Sequence, residues 1–210
     1  METDAELLDA WRAGDRGAGR ALFERHIEVV SRFFRNKIDD DREELVQRTF
    51  LACVESRDRI RSGSTFRAYV LKVARNKLYD HLAVRARAQR IDPMTTSVLT
   101  VATSPSALVA RRQRDALLLR ALKELPVAMQ VALELHYWEG LSMNELAEVL
   151  GVPPATAKSR VLRAREHVRD NLVRLLAGTV DVSRLDADLD GWARELRAAL
   201  DGGESAERAG

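Results

Sequence analysis

Five polar or basic side chains near residue 160 have the types and spacing that contact with duplex DNA requires. Arginine and lysine donate to guanine acceptors and to phosphate, while serine and threonine contact bases or phosphate. At about 100° per residue, three of the five point away from an apolar helix face that begins at Ala157 and ends at Leu172, and the other two lie on its flanks. Recognition helices direct their N-terminal residues toward the major groove. Double-stranded DNA is therefore the first predicted partner of Thr156, Lys158, Ser159, Arg160 and Arg163.

Two short helices must hold these side chains, and the sequence marks where each begins and ends. Ser142 and Glu145 have the spacing of a capping box, which predicts a helix start at about Ser142. Gly151 suits the left-handed residue that ends that helix, and Pro154 suits the first position of the next. The spacing predicts a helix-turn-helix over about 142–163. The alternative is a two-helix packing unit whose basic face is only solvated.

Composition limits how the chain could hold nucleic acid. Among its 210 residues, 34 Lys and Arg stand against 32 Asp and Glu, a net charge of +2. Affinity for DNA must therefore come from segregated patches, such as the basic stretch from Arg67 to Arg90. The single cysteine, Cys53, excludes an internal disulfide, and no apolar run has the length of a membrane span. We expect a cytoplasmic protein without membrane insertion.

Helical periodicity dominates the chain, so the predicted fold class is all-α, with two small helical domains. We expect no cofactor. The N-terminal domain, residues 1–90, is predicted to hold helices near 4–13, 17–37, 41–56 and 64–88. A stretch poor in charge and rich in Thr and Ser begins at Ile91, which predicts a flexible linker over 91–110. Residues 111–176 form the second domain, and residues 177–210 an acidic extension with a short helix.

The N-terminal domain contains two further candidate binding surfaces. The third predicted helix buries Val46, Phe50 and Cys53 and turns Glu44, Gln47 and Arg48 outward, toward a partner. The fourth mixes aromatic with basic residues. This combination suits single-stranded DNA, because bases stack on rings while cations follow phosphates. Each aromatic residue taken alone also fits a place in the core.

Taken together, the two halves resemble a bacterial RNA polymerase sigma factor of the extracytoplasmic-function group in the sigma-70 family. The resemblance rests on EELVQRTFLA and FRAYVLKVARNKLYDHL in the first half, and on LSMNELAEVLGVPPATAKSRVLRARE in the second. Both motifs occur in the family's order and at its separation. Such proteins keep only conserved regions 2 and 4.

The resemblance implies a role for each surface. Region 2.2 of the family docks on the clamp helices of the polymerase β′ subunit, and its match here is Glu44, Leu45, Gln47, Arg48 and Phe50. Arg48 stands where the family more usually has an acid facing basic clamp residues. Regions 2.3 and 2.4 melt the minus-10 element and bind its non-template strand; they match the loop from Arg61 to Thr65, followed by Phe66, Arg67, Tyr69, Lys72, Arg75, Asn76 and Lys77.

Lys72 and Val73 stand where primary sigma factors carry a tryptophan pair, which implies weaker melting and narrower promoter choice. Region 4 binds the minus-35 duplex, and its match is the helix-turn-helix. The resemblance also implies the β flap of core polymerase and an anti-sigma factor as partners, with promoter-directed transcription initiation and transcription regulation as the function.

Two other classes of function compete with this interpretation. A stand-alone helix-turn-helix regulator with an N-terminal sensing or dimerisation domain explains the second half but not the EELVQRTF and ARNKLYDHL motifs. An enzyme is disfavoured, because the four histidines lack metal-ligand spacing and no phosphate-binding glycine loop occurs. Cys53 as a redox sensor is also disfavoured, since a cysteine on an apolar face is usually a small core residue.

The acidic extension has an apolar stripe with acidic flanks, formed by Leu185, Leu189, Trp192, Leu196 and Leu200. One hypothesis is that residues 181–200 dock on a basic surface of region 2 or 4, or bind a separate partner. The alternative is a solvated helix packed against region 4.

Overall fold

The computed structural model describes residues 2–35, 37–38, 40–60, 65–89 and 113–176, together with Gly191. Within these ranges the regular secondary structure is helical, which confirms the predicted all-α class. The predicted linker, residues 91–110, lies outside the described residues, as does the acidic extension apart from Gly191. The limits of the predicted domains stay a prediction.

The N-terminal half, residues 2–89, is a bundle of four helices. They are α1 (Asp4–Arg12), α2 (Arg16–Arg35), α3 (Arg42–Glu55) and α4 (Phe66–Gln89), with a 3-10 turn at Arg57–Arg59. The predicted helices agree with these to within about two residues at each end, because the local signals for helix ends are strong here. Thr3, for example, caps α1 in a reciprocal capping box with Glu6.

Aromatic rings fill the centre of this bundle. Trp11 meets Phe23 edge to face with 5.3 Å between ring centroids, and Phe23 lies 4.8 Å from Phe50. The approach of α1 to α2 depends on Gly19, since a Cβ there would lie 2.5 Å from the Trp11 indole. A residue without a side chain therefore sets how closely these two helices pack.

The C-terminal half, residues 113–176, also has four helices. They are α5 (Gln113–Lys123), α6 (Val127–Leu133), α7 (Met143–Leu150) and α8 (Pro154–Leu176). A π-helical turn, Glu134–Trp138, continues α6, and the amide of Glu139 donates to the carbonyl of Glu134 at 3.1 Å. Turns of this kind widen the helix and recur at functional sites.

The two halves pack against each other through α4 and α7, and their buried apolar residues form one continuous core. The sequence predicted two domains joined by a linker, but it did not predict any contact between the two domains. The side-chain contacts between the halves join residues separated by 72 to 107 positions, and neither periodicity nor helix-end signals carry information over such separations.

Candidate nucleic-acid interface

The helix-turn-helix has the predicted local geometry. The Ser142 hydroxyl accepts from the Glu145 amide at 3.3 Å, and a Glu145 carboxylate oxygen accepts from the Ser142 amide at 2.9 Å. Gly151 adopts φ +65°, the left-handed conformation that ends α7, and α8 begins at Pro154. The hydrogen bonds from Ser142 lower the pKa of Glu145, so the cap carries a negative charge at neutral pH.

Helix α8 divides into a buried face and an open face. The predicted apolar face is confirmed, because Ala157, Val161, Ala164, Val168 and Leu172 are all buried. On the other side Thr156, Lys158 and Arg163 are exposed, while Ser159 and Arg160 are half-buried. The Ser159 hydroxyl donates to the carbonyl of Thr156 at 3.0 Å. Three of the five predicted DNA-contacting side chains are therefore fully accessible in this arrangement.

Arg75 of α4 is under the electrostatic influence of α8. Burial lowers the pKa of Arg75, and the charge of Arg160 lowers it further. Arg75 lies 5.5 Å from the centre of the Tyr79 ring and donates to the Val149 carbonyl at 2.7 Å. The predicted duplex-binding and strand-binding surfaces are thus adjacent.

Along α4 the predicted residues differ in how open they are. Asn76 is exposed, whereas the rest of the set beyond Phe66 is half-buried: Arg67, Tyr69, Lys72, Arg75 and Lys77. The hydroxyl of Tyr69 lies 2.5 Å from that of Ser56, which anchors the ring to α3. In the loop before α4, residues 61–64 lie outside the described residues, and Thr65 is exposed.

Phe66 is placed differently from the sequence prediction. Only 1% of it is exposed, with its ring 6.4 Å from Trp11 and 5.4 Å from His26. Base stacking on this ring is excluded in the arrangement described, because its faces are covered by the core. From the sequence, an aromatic residue beside cations can either stack on a DNA base or lie in the core. For Phe66, burial of the large apolar ring favours the core.

Four residues that were not predicted from the sequence join the two halves together with Arg67: Arg32, Lys37, Glu134 and Glu139. Arg32 and Arg67 both donate to Glu139, and Lys37 pairs with Glu134. Glu134 and Glu139 are 3% and 4% exposed. The available signal was charge inside apolar segments, since RFFRNKI and VALELHYWEG each place ions among residues with a strong tendency to be buried.

Helix α3 presents part of its predicted partner-binding set. Glu44, Gln47 and Arg48 are exposed, and Arg48 pairs with Glu44 at 2.5 Å. Leu45 and Phe50 are only 2% and 9% exposed, so their side chains support the helix from the core instead of meeting a partner.

The same outer face of α3 carries Leu51 and Val54, whose exposed fractions are 58% and 44%. The sequence analysis missed both, although exposed apolar side chains beside charged ones are typical of a protein-binding surface.

The described ranges contain no cluster of ligands able to hold a metal ion, and no helix within them is long and apolar enough to cross a membrane. Cys53 is fully buried, and burial raises the pKa of its thiol to about 12. A thiol in this state has little thiolate available for reaction.

Comparison with known proteins assigns a family to both halves. Residues 22–88 match the family model for sigma-70 region 2, and residues 111–168 match that for sigma-70 region 4. The RNA polymerase sigma-H factor of Pseudomonas aeruginosa is 26% identical over 187 residues, covering 84% of this chain and 97% of the relative. The ECF RNA polymerase sigma-E factor of Escherichia coli K12 is 27% identical, covering 83% and 96%.

A solved structure agrees with this assignment. The sigma factor RpoE in complex with the anti-sigma factor NepR, from Bartonella quintana, is 25% identical and superimposes with a TM-score of 0.57, covering 73% of this chain and 95% of that one. Two family matches in the expected order, separated by the predicted linker, account for both helical halves and for the basic faces they carry. The chain belongs to the sigma-70 family of RNA polymerase sigma factors, in its extracytoplasmic-function group.

Proposed function

We propose that this protein directs core RNA polymerase to specific promoters by binding the minus-35 duplex and the minus-10 non-template strand. The observation that carries the proposal is the presence, in one chain, of a helix-turn-helix with a basic open face and a second basic helix. The mechanism we propose is binding, with no chemical step on this chain. Because promoter DNA and core RNA polymerase are in the bacterial cytoplasm, we propose a cytoplasmic location for this protein.

Helix α8 is suited to the minus-35 element. Lys158 and Arg163 are exposed near its N-terminal half, and Gly151 holds the tight turn that sets α8 against α7. Side chains at this end of a recognition helix reach base edges, and arginine can donate two hydrogen bonds to guanine. The buried face of α8 fixes their direction, because its apolar side chains are locked in the core.

Helix α4 is suited to the separated non-template strand. Its cations lie along one helix, and Asn76 beside them offers both a donor and an acceptor. Single strands bind through phosphate contacts combined with ring stacking. With Phe66 in the core, Tyr69 and Tyr79 are the remaining rings on this helix, and both are half-buried.

Core polymerase is the partner we propose for the exposed face of α3, through the β′ clamp helices, with the β flap receiving region 4. Glu44, Gln47 and Arg48 supply the polar contacts, and Leu51 and Val54 supply apolar area beside them. An anti-sigma factor is a further proposed partner, as in the Bartonella quintana complex. Two weak DNA contacts held on one polymerase add through effective concentration, so the free chain should bind promoters poorly.

Binding to core polymerase separates this proposal from a stand-alone regulator. Fluorescently labelled protein should bind purified core enzyme, and Glu44→Arg should weaken binding because it reverses an exposed charge on α3. Arg20→Glu, an exposed charge reversal on α2, is the matched control and should leave binding unchanged. Tight, sequence-specific binding of the free chain to promoter duplex, without affinity for core enzyme, would support the stand-alone regulator instead.

A further inference from the structure

One carboxylate at the junction of the halves receives two arginines of the N-terminal half. Arg32 donates to Glu139 through Nε at 2.7 Å and through Nη2 at 3.2 Å, and Arg67 donates through Nη2 at 2.8 Å. Both guanidinium groups meet Oε2 of the same carboxylate, so they lie side by side. Arg32 is 7% exposed and Glu139 is 4% exposed, whereas the side chain of Arg67 is 33% exposed, so the cluster reaches water on the Arg67 side.

The carboxylate does not satisfy this pair fully. Nε of Arg67 is buried and has no hydrogen-bond partner among the described residues. A buried donor without a partner destabilises the arrangement that leaves it unpaired. A phosphate offers more acceptor oxygens than a carboxylate, and arginine binds both through the same planar set of donors. The two side-by-side guanidinium groups therefore suit a tetrahedral anion at least as well as Glu139.

Other cations of the N-terminal half also bind acceptor groups of the C-terminal half. Lys37 is 1% exposed and pairs with Glu134, and Arg75 donates to the carbonyl of Val149 at 2.7 Å. Glu134 and Glu139 lie five residues apart, about 140° around an α-helix. The π-helical turn has more residues per turn than an α-helix, which reduces the angle between Glu134 and Glu139 and lets both carboxylates face the N-terminal half.

The energetics favour a replaceable contact. Removing two opposite charges from water costs about as much as their attraction returns, so a buried ion pair is a poor source of net stability. Another anion that satisfies the same donors can displace Glu139 without a large net loss. Arg67 belongs to the surface proposed to bind the minus-10 strand, so the phosphates of that strand are the competing anion at hand.

We propose that Arg32 and Arg67 form one phosphate-binding site for promoter DNA, and that Glu139 occupies this site as an internal competitor while the two halves are packed together. Arg32 thereby joins the DNA-contacting residues, and the closed arrangement is the resting state of the free chain. The proposal rests on the proposed function for the identity of the DNA. It adds a physical reason for poor DNA binding before the halves separate.

The competition is tested with a short, mixed-sequence, fluorescein-labelled single-stranded DNA and the full chain, without polymerase. Glu139→Gln removes the competing charge. If the closed state holds about nine molecules in ten, the affinity should rise by about tenfold. Glu124→Gln is the matched control, because Glu124 pairs with Arg174 within the C-terminal half, and it should bind as the wild type does. Equal affinities of Glu139→Gln and wild type would overturn the proposal.

The contribution of Arg32 needs a second variant. Adding Arg32→Gln to Glu139→Gln should remove much of the gain. It should also lower the salt dependence of binding by about 0.7 in log–log slope, the value for one lost phosphate contact. If the double variant binds as tightly as Glu139→Gln, with the same slope, Arg32 is not a phosphate contact and the two-arginine site is wrong.

A third measurement avoids any change to the buried cluster, in case Glu139→Gln does not fold. Arg20→Cys on α2 and Glu166→Cys on α8 place spin labels on exposed positions of the two halves, while Cys53 is too buried to react. Saturating single-stranded DNA should lengthen the distance between the labels. An unchanged distance at full occupancy would overturn the competition. None of these assays contains polymerase, so failure of the sigma-factor proposal would appear separately, as absence of polymerase-dependent transcripts.

Discussion

The exposed guanidinium of Arg48 alters the charge of the surface proposed to dock on polymerase. It pairs with Glu44, and both side chains are more than half exposed, so the pair is worth little to stability. The resemblance to the sigma-70 family implies that an acid facing basic clamp residues is more usual at this position. We therefore expect Arg48→Glu to bind core polymerase more tightly, by roughly threefold to tenfold, mainly through faster association.

This gain should fade as salt is raised, because it comes from long-range attraction between exposed charges. Association and dissociation rates on immobilised core enzyme measure it directly. Arg20→Glu provides an equal change of net charge on α2. A gain of the same size from Arg20→Glu would assign the effect to net charge and contradict a specific role for Arg48.

Arg163 is exposed near the N-terminal half of the recognition helix, and its contribution should be specific to the upstream element. With the holoenzyme, Arg163→Ala should weaken promoter binding by about 1–3 kcal/mol and relax specificity at one base pair if it contacts a base. Arg174 is also exposed and lies near the end of the same helix, so Arg174→Ala serves as the control. Equal binding by both variants would remove Arg163 from the proposed interface.

At the scale of elements, the packing of α1 on α2 depends on one missing side chain. In Gly19→Ala the new Cβ would lie 2.5 Å from the Trp11 indole, so the helices must separate or the ring must move. We expect a loss of about 1–3 kcal/mol in the free energy of unfolding, measured by urea denaturation.

Gly17→Ala is the matched control in the same helix. Its added Cβ would meet only a carboxylate oxygen of Asp15, at 3.1 Å. That oxygen accepts from the Gly17 and Ala18 amides at 2.7 and 3.2 Å, so it can shift only slightly, but the contact is looser than the one with Trp11 and the loss should be smaller. Similar losses for both variants would show that glycine content, and not contact with Trp11, governs the packing.

Helices were predictable where their signals are local. Ser142, Gly151 and Pro154 mark the ends of α7 and α8 through hydrogen bonds and backbone angles that lie within a few residues of each other. Phe66 was less predictable, because an aromatic ring among cations suits a base or a core equally until its neighbours are known. Trp11 is such a neighbour, and it lies far away in the sequence.

At the scale of the whole molecule, the packing of the two halves could not be predicted. Arg32 and Glu139 are separated by 107 positions, and their pairing depends on the assembled bundle. The outward direction of Glu44, Gln47 and Arg48 follows from helical periodicity alone, so the exposure of these three side chains could be predicted from the sequence. The pairing of Arg67 with Glu139 of the other half could not be predicted in this way.

Stability of the folded chain should fall as the solution becomes acidic. Burial lowers the pKa of both His26 and His81 below the ordinary value of about 6.5, against an opposing effect of Asp4 at His26. The unfolded chain then binds more protons than the folded chain just below that pH. The free energy of unfolding should therefore decrease between about pH 7.5 and about pH 5.5.

Urea denaturation across this range measures the slope, and His26→Gln should flatten it. The imidazole of His26 lies 2.7 Å from Asp4, so this variant should also lose some stability at neutral pH. A slope of opposite sign in the wild type would contradict the assignment of these histidines as neutral in the folded state.

We propose that this chain gives core polymerase its choice of promoters. The most direct measurement is transcription from fragmented genomic DNA with purified core enzyme, with and without the protein, followed by mapping of transcript 5′ ends. We predict a limited set of protein-dependent starts that share an upstream and a downstream element at fixed spacing, lost in a variant truncated before α8. Absence of protein-dependent starts, with an active core enzyme shown by a known sigma factor, would contradict the account.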